Sequence, residues 1–239
     1  MFRYLLLFIS ISFSVFAQNT KINSFSNAKR LLKYEVYSDN KTTFYCNAEW
    51  NNKGDITLPE GFTTPSQEYR ANRLEWEHVI PAEHFGRNFK EWTEGHPDCM
   101  DNKGKSFKGR KCAEKVNPEF RYMLSDMYNL YPSIGAVNAL RSNYPYTEFN
   151  TEYENTFGSC SMKIYNKQAE PPEYTRGAIA RTYLYFDKVY PKYSLDDATR
   201  ELMEKWDKLY PVTEEECQRA KRIEELQGNS NEFVLKNCK

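Results

Sequence analysis

The chain has 239 residues, enough for one domain with a sizeable core or at most two small ones. Lys and Arg together number 33, as do Asp and Glu, so the formal charge is zero and any basic surface has to be local. Beyond the first 17 residues no stretch is apolar for long enough to cross a bilayer, which excludes a later membrane-spanning helix.

Residues 1–17, MFRYLLLFISISFSVFA, combine Arg3, a short apolar run, and small residues at Val15 and Ala17. This pattern reads as a secretory leader cut after Ala17, in preference to a buried N-terminal helix. Its removal takes away only Arg3, so the charge balance stays within one unit of zero. Export together with six Cys implies disulfides. Six cysteines allow fifteen pairings, and sequence alone does not choose among them. Locality favours Cys99–Cys112, a loop worth about 3 kcal/mol in the chain-entropy model, and Cys217–Cys238. Cys46–Cys160 would then remain.

The mature chain opens with NSFSNAKRLLKYEVY (23–37), apolar at helical spacing with Ser24 or Ser26 as cap, a helix expected to cover a sheet. TTFYCNAEW (42–50) reads as a strand by its β-branched and aromatic content, NNKGD (51–55) as a turn, and 58–73 as irregular. RLEWEHVIPAEHFG (73–86) holds the next strand, from about Leu74 to the bend that Pro81 imposes. From Gly86 to Val116 the chain is polar and turn-rich, ending in Lys105, Lys108, Arg110 and Lys111; for the lysines an ordinary solvated loop is the favoured reading. A helix over 117–127 is capped by Asn117 with Pro118 in its first turn. The segment 128–143 is predicted to restart a helix at Pro132, with Asn138 on its second turn. SCSMKIY (159–165) reads as a strand. PPEYTRGAIARTYLYFDKVY (171–190) is a long helix with Ile179, Tyr183, Phe186 and Tyr190 repeating at three and four. Its Arg176 and Arg181 suit contacts to a nucleic-acid backbone and buried ion pairs equally well. Helices over 195–210, 213–228 and 231–238, with Gly228 as a C-cap, complete a helical layer. There is no internal repeat, no low-complexity linker and no domain boundary.

The chemistry concentrates at Glu77–His78, a hard oxygen ligand beside a base that is neutral near pH 7. In a regular strand these neighbours would face opposite ways, so they are expected where the strand bends, leaning into one pocket. For the dipeptide alone, a surface carboxylate beside a packed histidine would be the better reading. A zinc site built from His78, Glu83 and His84 fails on spacing, because the histidines are six apart with Pro81 between them rather than four apart on one helix face. That leaves His84 structural or solvated, and His96 in the polar loop.

The stretch closely resembles the signature of the endonuclease I family, periplasmic or secreted nucleases with a ββα-metal (His-Me finger) site. The resemblance continues through GRKC (109–112), SDMYNLYPSIGAVN (125–138), RSN (141–143), EPP (170–172), RGAIARTYLYF (176–186), YPVTEEEC (210–217) and QGNSNEFV (227–234). It covers Cys46 to the C-terminus, and 24–45 more loosely. It implies a mixed α+β single domain over 18–239, with a small antiparallel sheet packed by several helices. It also implies a largely sequence-non-specific endonuclease that hydrolyses DNA to 5′-phosphate products, with RNA as a further candidate substrate. Carried over residue by residue, His78 is the general base and Glu77 and Asn138 are the metal ligands. Arg110 holds the scissile phosphate, and Asn129 caps or braces the Asn138 helix. The implied ion is Mg²⁺, with Mn²⁺ or Ca²⁺ as alternatives; two oxygen ligands leave most octahedral positions to water and substrate. A periplasmic or secreted monomer, not bound to membrane, is expected.

The chain departs from the family in several places. The loop HPDCMDNKGKSFK (96–108) is an insertion pinned by Cys99–Cys112, and two cysteines common in relatives are missing near Asn47 and Gln67. Leu124 stands where relatives carry a Glu, with Asp126 as the acid that would take over, and Tyr128 replaces a family His. The rival expectation is therefore a catalytically weakened nucleic-acid-binding module of the same fold. A secreted metalloprotease would need three ligands that the sequence does not supply.

Overall fold

A computed structural model describes residues 18–238, so the leader expected at 1–17 lies outside the described residues. The first helix, α1 (Phe25–Leu31), is capped by Ser24, whose side chain accepts from the Asn27 amide, and it runs on into a π turn at Leu32–Val36. Strands β1 (Glu49–Trp50) and β2 (Ile56–Thr57), helix α2 (Glu68–Ala71) and strand β3 (Leu74–His78) follow. Short helices α3 (Ala82–Gly86), α4 (Lys90–Thr93), α5 (Arg110–Val116) and α6 (Pro118–Leu124) lead to strand β4 (Leu130–Ile134) and helix α7 (Gly135–Arg141). The hairpin β5 (Lys163–Tyr165) and β6 (Gln168–Glu170) precedes helices α8 (Glu173–Val189), α9 (Asp197–Leu209), α10 (Glu214–Gln227) and α11 (Glu232–Leu235). The result is a single α+β domain, in which sheet structure among the described residues consists of two-stranded antiparallel ribbons.

The ribbon that matters is β3–β4, which sets Glu75 opposite Ser133, Glu77 opposite Tyr131 and His78 opposite Leu130. The helix expected to restart at Pro132 does not: Pro132 lies inside β4, opposite Trp76, and α7 begins only at Gly135. Proline is tolerated there because its missing donor would point away from β3. Its carbonyl, on the same side, takes the Phe44 amide at 2.8 Å instead. Asn138 consequently ends the first turn of α7 rather than lying on a second one.

Two expected strands are shorter than their composition suggests. Within 42–50 only Glu49–Trp50 is strand, because Asn47 takes φ 51° and folds the chain back so that the Thr43 amide bonds the Ala48 carbonyl. Within 159–165 only Lys163–Tyr165 pairs, closed by Asn166 and Lys167 at φ 46° and 58°, the left-handed pair of a tight hairpin. The irregular 58–73 contains the single turn of α2. Disulfides join Cys46 to Cys160, Cys99 to Cys112 and Cys217 to Cys238.

The long helix α8 lies in the middle of the domain. Ile179, Tyr183 and Phe186, together with Tyr190 just beyond it, are all buried, and Phe186 meets Phe85, Tyr190 and Tyr193 in an aromatic cluster. Helices α9, α10 and α11 pack behind it, with N-caps at Asp196, Thr213 and Asn231 and a left-handed Gly228 ending α10. This scaffold holds β3–β4 from behind and leaves the end of β3 open to a cleft.

Candidate active site

The cleft, about 550 Å³, is lined by Glu77 and His78 from β3, Arg110 from the first residue of α5, and Asn138 from α7. Phe25 and Lys29 of α1 form another wall. Glu77 and His78 line this one cleft although they are neighbours in a strand; His78 is the last residue of β3, where the ladder ends.

His78 is 8% exposed, its ring 5.1 Å from that of Phe25. Its Nε2 lies 2.9 Å from the Leu124 carbonyl oxygen. A carbonyl can only accept, so the neutral ring carries its proton on Nε2 and keeps Nδ1 as the basic nitrogen. Burial, reinforced by the nearby Arg110 charge, pushes the imidazolium pKa down to about 3, so the base is neutral throughout the physiological range. Leu124 itself is buried; it serves the site through its backbone.

Glu77 is 1% exposed. Its Oε1 accepts from the Tyr45 hydroxyl at 2.9 Å and lies 3.0 Å from Arg141 Nη1, leaving Oε2 for the cleft. Burial raises its pKa to about 7, against the opposing pull of Arg141 and Tyr45. Asn138 donates its Nδ2 to Glu75 Oε2 at 2.7 Å, which leaves Oδ1 unoccupied by that contact. A carboxylate oxygen and an amide oxygen are the donors a hard divalent cation takes, so these residues fit one. They do not fit zinc: among the described residues no group of three or more His, Cys, Asp or Glu could hold a metal. His84 instead meets the Asn143 carbonyl at 2.9 Å, and His96 is exposed in the loop.

Arg110 and Lys29 form no ion pair among the described residues. The Arg110 guanidinium lies 5.1 Å from the centre of the Phe25 ring and the Lys29 amine 4.6 Å from it. Burial lowers the Arg110 pKa, which remains far above neutrality for a guanidinium. Arg110, with the charge of Glu114 nearby, and Lys29 thus stand beside the neutral imidazole in a cleft that Glu75, Glu77 and Glu83 also line.

Four expected roles need correction. Arg176 and Arg181 are buried and do not line the cleft. Arg176 pairs with Glu170 at 2.8 Å; Arg181 pairs with Glu216 at 2.6 Å and Asp207 at 2.9 Å, so neither offers its guanidinium to a phosphate. Asn129 braces β3 rather than α7: its Oδ1 takes the Ile80 amide at 2.7 Å and its Nδ2 bonds the Ile80 carbonyl at 3.0 Å, continuing the ladder past the strand end. Asp126 faces the core, accepting from the Tyr185 and Tyr190 hydroxyls, Gln227 and the Tyr128 amide; it does not take over for the missing acid at Leu124.

Arg141 escaped the sequence reading. Fully buried, it donates to the His78 carbonyl at 2.9 Å and the Val79 carbonyl at 2.6 Å while pairing with Glu77, and stacks 4.4 Å from the Tyr146 ring. Its position inside the RSN motif was the available signal. Glu75 also went unassigned, although it shares a strand face with Glu77.

Two oxygen donors that suit a hard cation, an imidazole held in one tautomer and a guanidinium without an ion pair line one cleft. These groups are suited to phosphodiester cleavage, and the chain is a disulfide-braced nuclease. The comparisons name its family. The Endonuclease I family model matches residues 12–238. Endonuclease-1 of Buchnera aphidicola subsp. Acyrthosiphon pisum is 36% identical over 99% of this chain and 90% of its own length. An extracellular deoxyribonuclease of Aeromonas hydrophila is 39% identical, covering 90% of each protein. A periplasmic deoxyribonuclease of the same species is 38% identical over 85% of this chain and 82% of its own. The chain belongs to the endonuclease I family.

Proposed function

We propose that the protein, exported after loss of residues 1–17, is an Mg²⁺-dependent endonuclease. It hydrolyses DNA with weak sequence preference and leaves 5′-phosphate and 3′-hydroxyl ends. In this reading the side-chain oxygens of Glu77 and Asn138 would hold one divalent ion, which would supply positive charge to offset the negative charge developing on the substrate. His78 Nδ1 accepts the proton of the attacking water, while the bond from Nε2 to the Leu124 carbonyl keeps the ring aimed and in the required tautomer. Arg110 neutralises the scissile phosphate, its planar fork matching two phosphate oxygens. Arg141 and Asn129 are positioning residues, fixing the backbone from His78 to Ile80 so that Glu77 and His78 address the same point. Contacts of this kind read backbone rather than bases, which is why weak sequence preference is expected and RNA is a second candidate substrate.

The observation that supports this most is that Glu77, His78, Arg110 and Asn138 line one cleft, with His78 Nε2 engaged and Nδ1 unengaged. Supercoiled plasmid incubated with Mg²⁺, with EDTA, and with a His78→Ala protein tests it. Nicking that needs both the ion and His78 is the expected result. Leu124, in place of the usual acid, favours one rival, a module that binds without cutting; metal-independent DNA binding with no nicking would establish it.

A further inference from the structure

Asn138 can serve a cation only if its oxygen, and not its amino group, is turned to the cleft. A side-chain amide is nearly symmetric in shape, so packing alone selects weakly between its two flips, and a partner of one-way hydrogen-bonding character has to decide. Glu75 has that character. Its Oε2 lies 2.7 Å from Asn138 Nδ2, and a carboxylate can only accept. Glu75 is itself held by Arg70, whose Nε donates to Oε1 at 2.8 Å and whose Nη2 pairs with Oε2.

The packing around Gly135 leaves room for this arrangement because no side chain is there. A Cβ placed on Gly135 would come within 2.8 Å of Glu75 Oε1, 2.6 Å of the Arg70 carbonyl and 3.1 Å of the Arg73 carbonyl. Glycine at the start of α7 is therefore what lets the Arg70–Glu75 pair sit over the first turn, beside Asn138. Strand alternation supplies the rest: Glu75 and Glu77 are two apart on β3 and share a face, so one can steer Asn138 while the other addresses the cleft.

We infer that Glu75 is a positioning residue that sets the flip of Asn138, through the relay Arg70 to Glu75 to the Asn138 amide, and so presents Oδ1 for cation binding. The inference rests on the reading of Asn138 as a ligand given above. It has a signature that neither a packing role nor direct ligation would share. In Glu75→Gln, the amide oxygen that keeps the Arg70 Nε contact of Oε1 puts the amino group against Asn138, whose own oxygen turns from the cleft to accept from it. In Glu75→Ala, Asn138 is merely released to sample both flips. The near-isosteric change should therefore harm more than the truncation.

The test is Mn²⁺ affinity, measured on the metal-free protein by paramagnetic resonance of free Mn²⁺, with melting temperature as a control for folding. Glu75→Gln should weaken Mn²⁺ binding about 10–100-fold, the range for partners that orient a ligand, and Glu75→Ala by less. Glu75→Gln combined with Asn138→Asp should recover affinity, because the new carboxylate accepts from Gln and offers its second oxygen to the ion. The double variant also decides the matter should Glu75→Ala fail to fold. Wild-type affinity in Glu75→Gln, an Ala variant weaker than the Gln variant, or no recovery in the double variant would overturn the inference. Asn138→Ala separates the two levels: if it keeps wild-type affinity, the ligand reading falls and this inference with it; if it loses Mn²⁺ while Glu75→Gln does not, only this inference falls.

Discussion

The same two residue types, arginine and glutamate, are used in opposite ways at the cleft and in the helical layer behind it. Arg181, 2% exposed, is saturated: it meets Glu216 twice, Asp207 once and the Tyr210 carbonyl. Arg219 is held through two of its three nitrogens, Nε donating to the Tyr37 hydroxyl and Nη2 to the Met127 and Leu130 carbonyls. At the cleft, Arg110 rests against Phe25 and forms no ion pair among the described residues, feeling only the more distant charge of Glu114, and Glu77 commits one oxygen while leaving the other. Saturation holds helices in place; incompleteness leaves charge for a substrate. Burial alone does not separate the two cases, since Glu77 is as buried as Arg181. What separates them is whether every polar atom already has its partner.

That contrast can be broken by experiment. The largest effect should come from Arg181→Met, which strands Glu216 in the interior; stability should fall by about 3–5 kcal/mol in urea titration, with the cleavage rate of the folded fraction unchanged. A fall in rate at intact stability would mean that Arg181 reaches substrate after all. Arg110→Ala should do the reverse, slowing single-turnover cleavage about 10²–10³-fold, the range for losing one donor to a developing charge, with little change in melting temperature. Removing the Cys99–Cys112 bridge, which closes a separation of 13 residues, should cost about 3 kcal/mol, read in the same titration with and without reductant. The smallest effect belongs to the exposed Asp39–Arg222 pair. Hydrogen bonds from Arg222 lower the Asp39 pKa from 3.8 to about 2, so its stabilisation is present above pH 4 and lost as pH falls towards 2. Asp39→Asn should lower stability slightly at neutral pH and throughout the range above pH 4, by an amount that vanishes as pH falls towards 2, so that the acid limb flattens within that window.

What the sequence made legible was local. The strand at Leu74–His78 announced itself through Trp76, Val79 and the stop at Pro81. Helix α8 showed in its spacing of three and four, and Ser24, Asn117 and Gly228 marked helix ends by their own backbone chemistry. What stayed hidden depended on partners far along the chain. Pro132 reads as a helix start unless the register with β3 is known, because only that register tells which way its missing donor points. Asn129 finds its partner Ile80 across 49 residues, and Arg141 meets the carbonyls of His78 and Val79 across 63 and 62. Arg176 and Arg181 could not be sorted from Arg110 by type. The carboxylates that occupy them come from a β-strand and from the next two helices. Family resemblance pointed to Glu77, His78, Arg110 and Asn138, and the structure brings these four to one cleft.

The central claim is that His78 takes the proton from the attacking water. Truncating it to Ala opens a space into which free imidazole fits, so the most direct measurement is the cleavage rate of the His78→Ala protein in saturating Mg²⁺ as imidazole is added. The account predicts a rate about 10²–10⁴-fold below wild type without imidazole, climbing with its concentration, and no such recovery in Glu77→Ala. A His78→Ala protein that cuts at the wild-type rate, or a slow one that imidazole leaves unchanged, would contradict it.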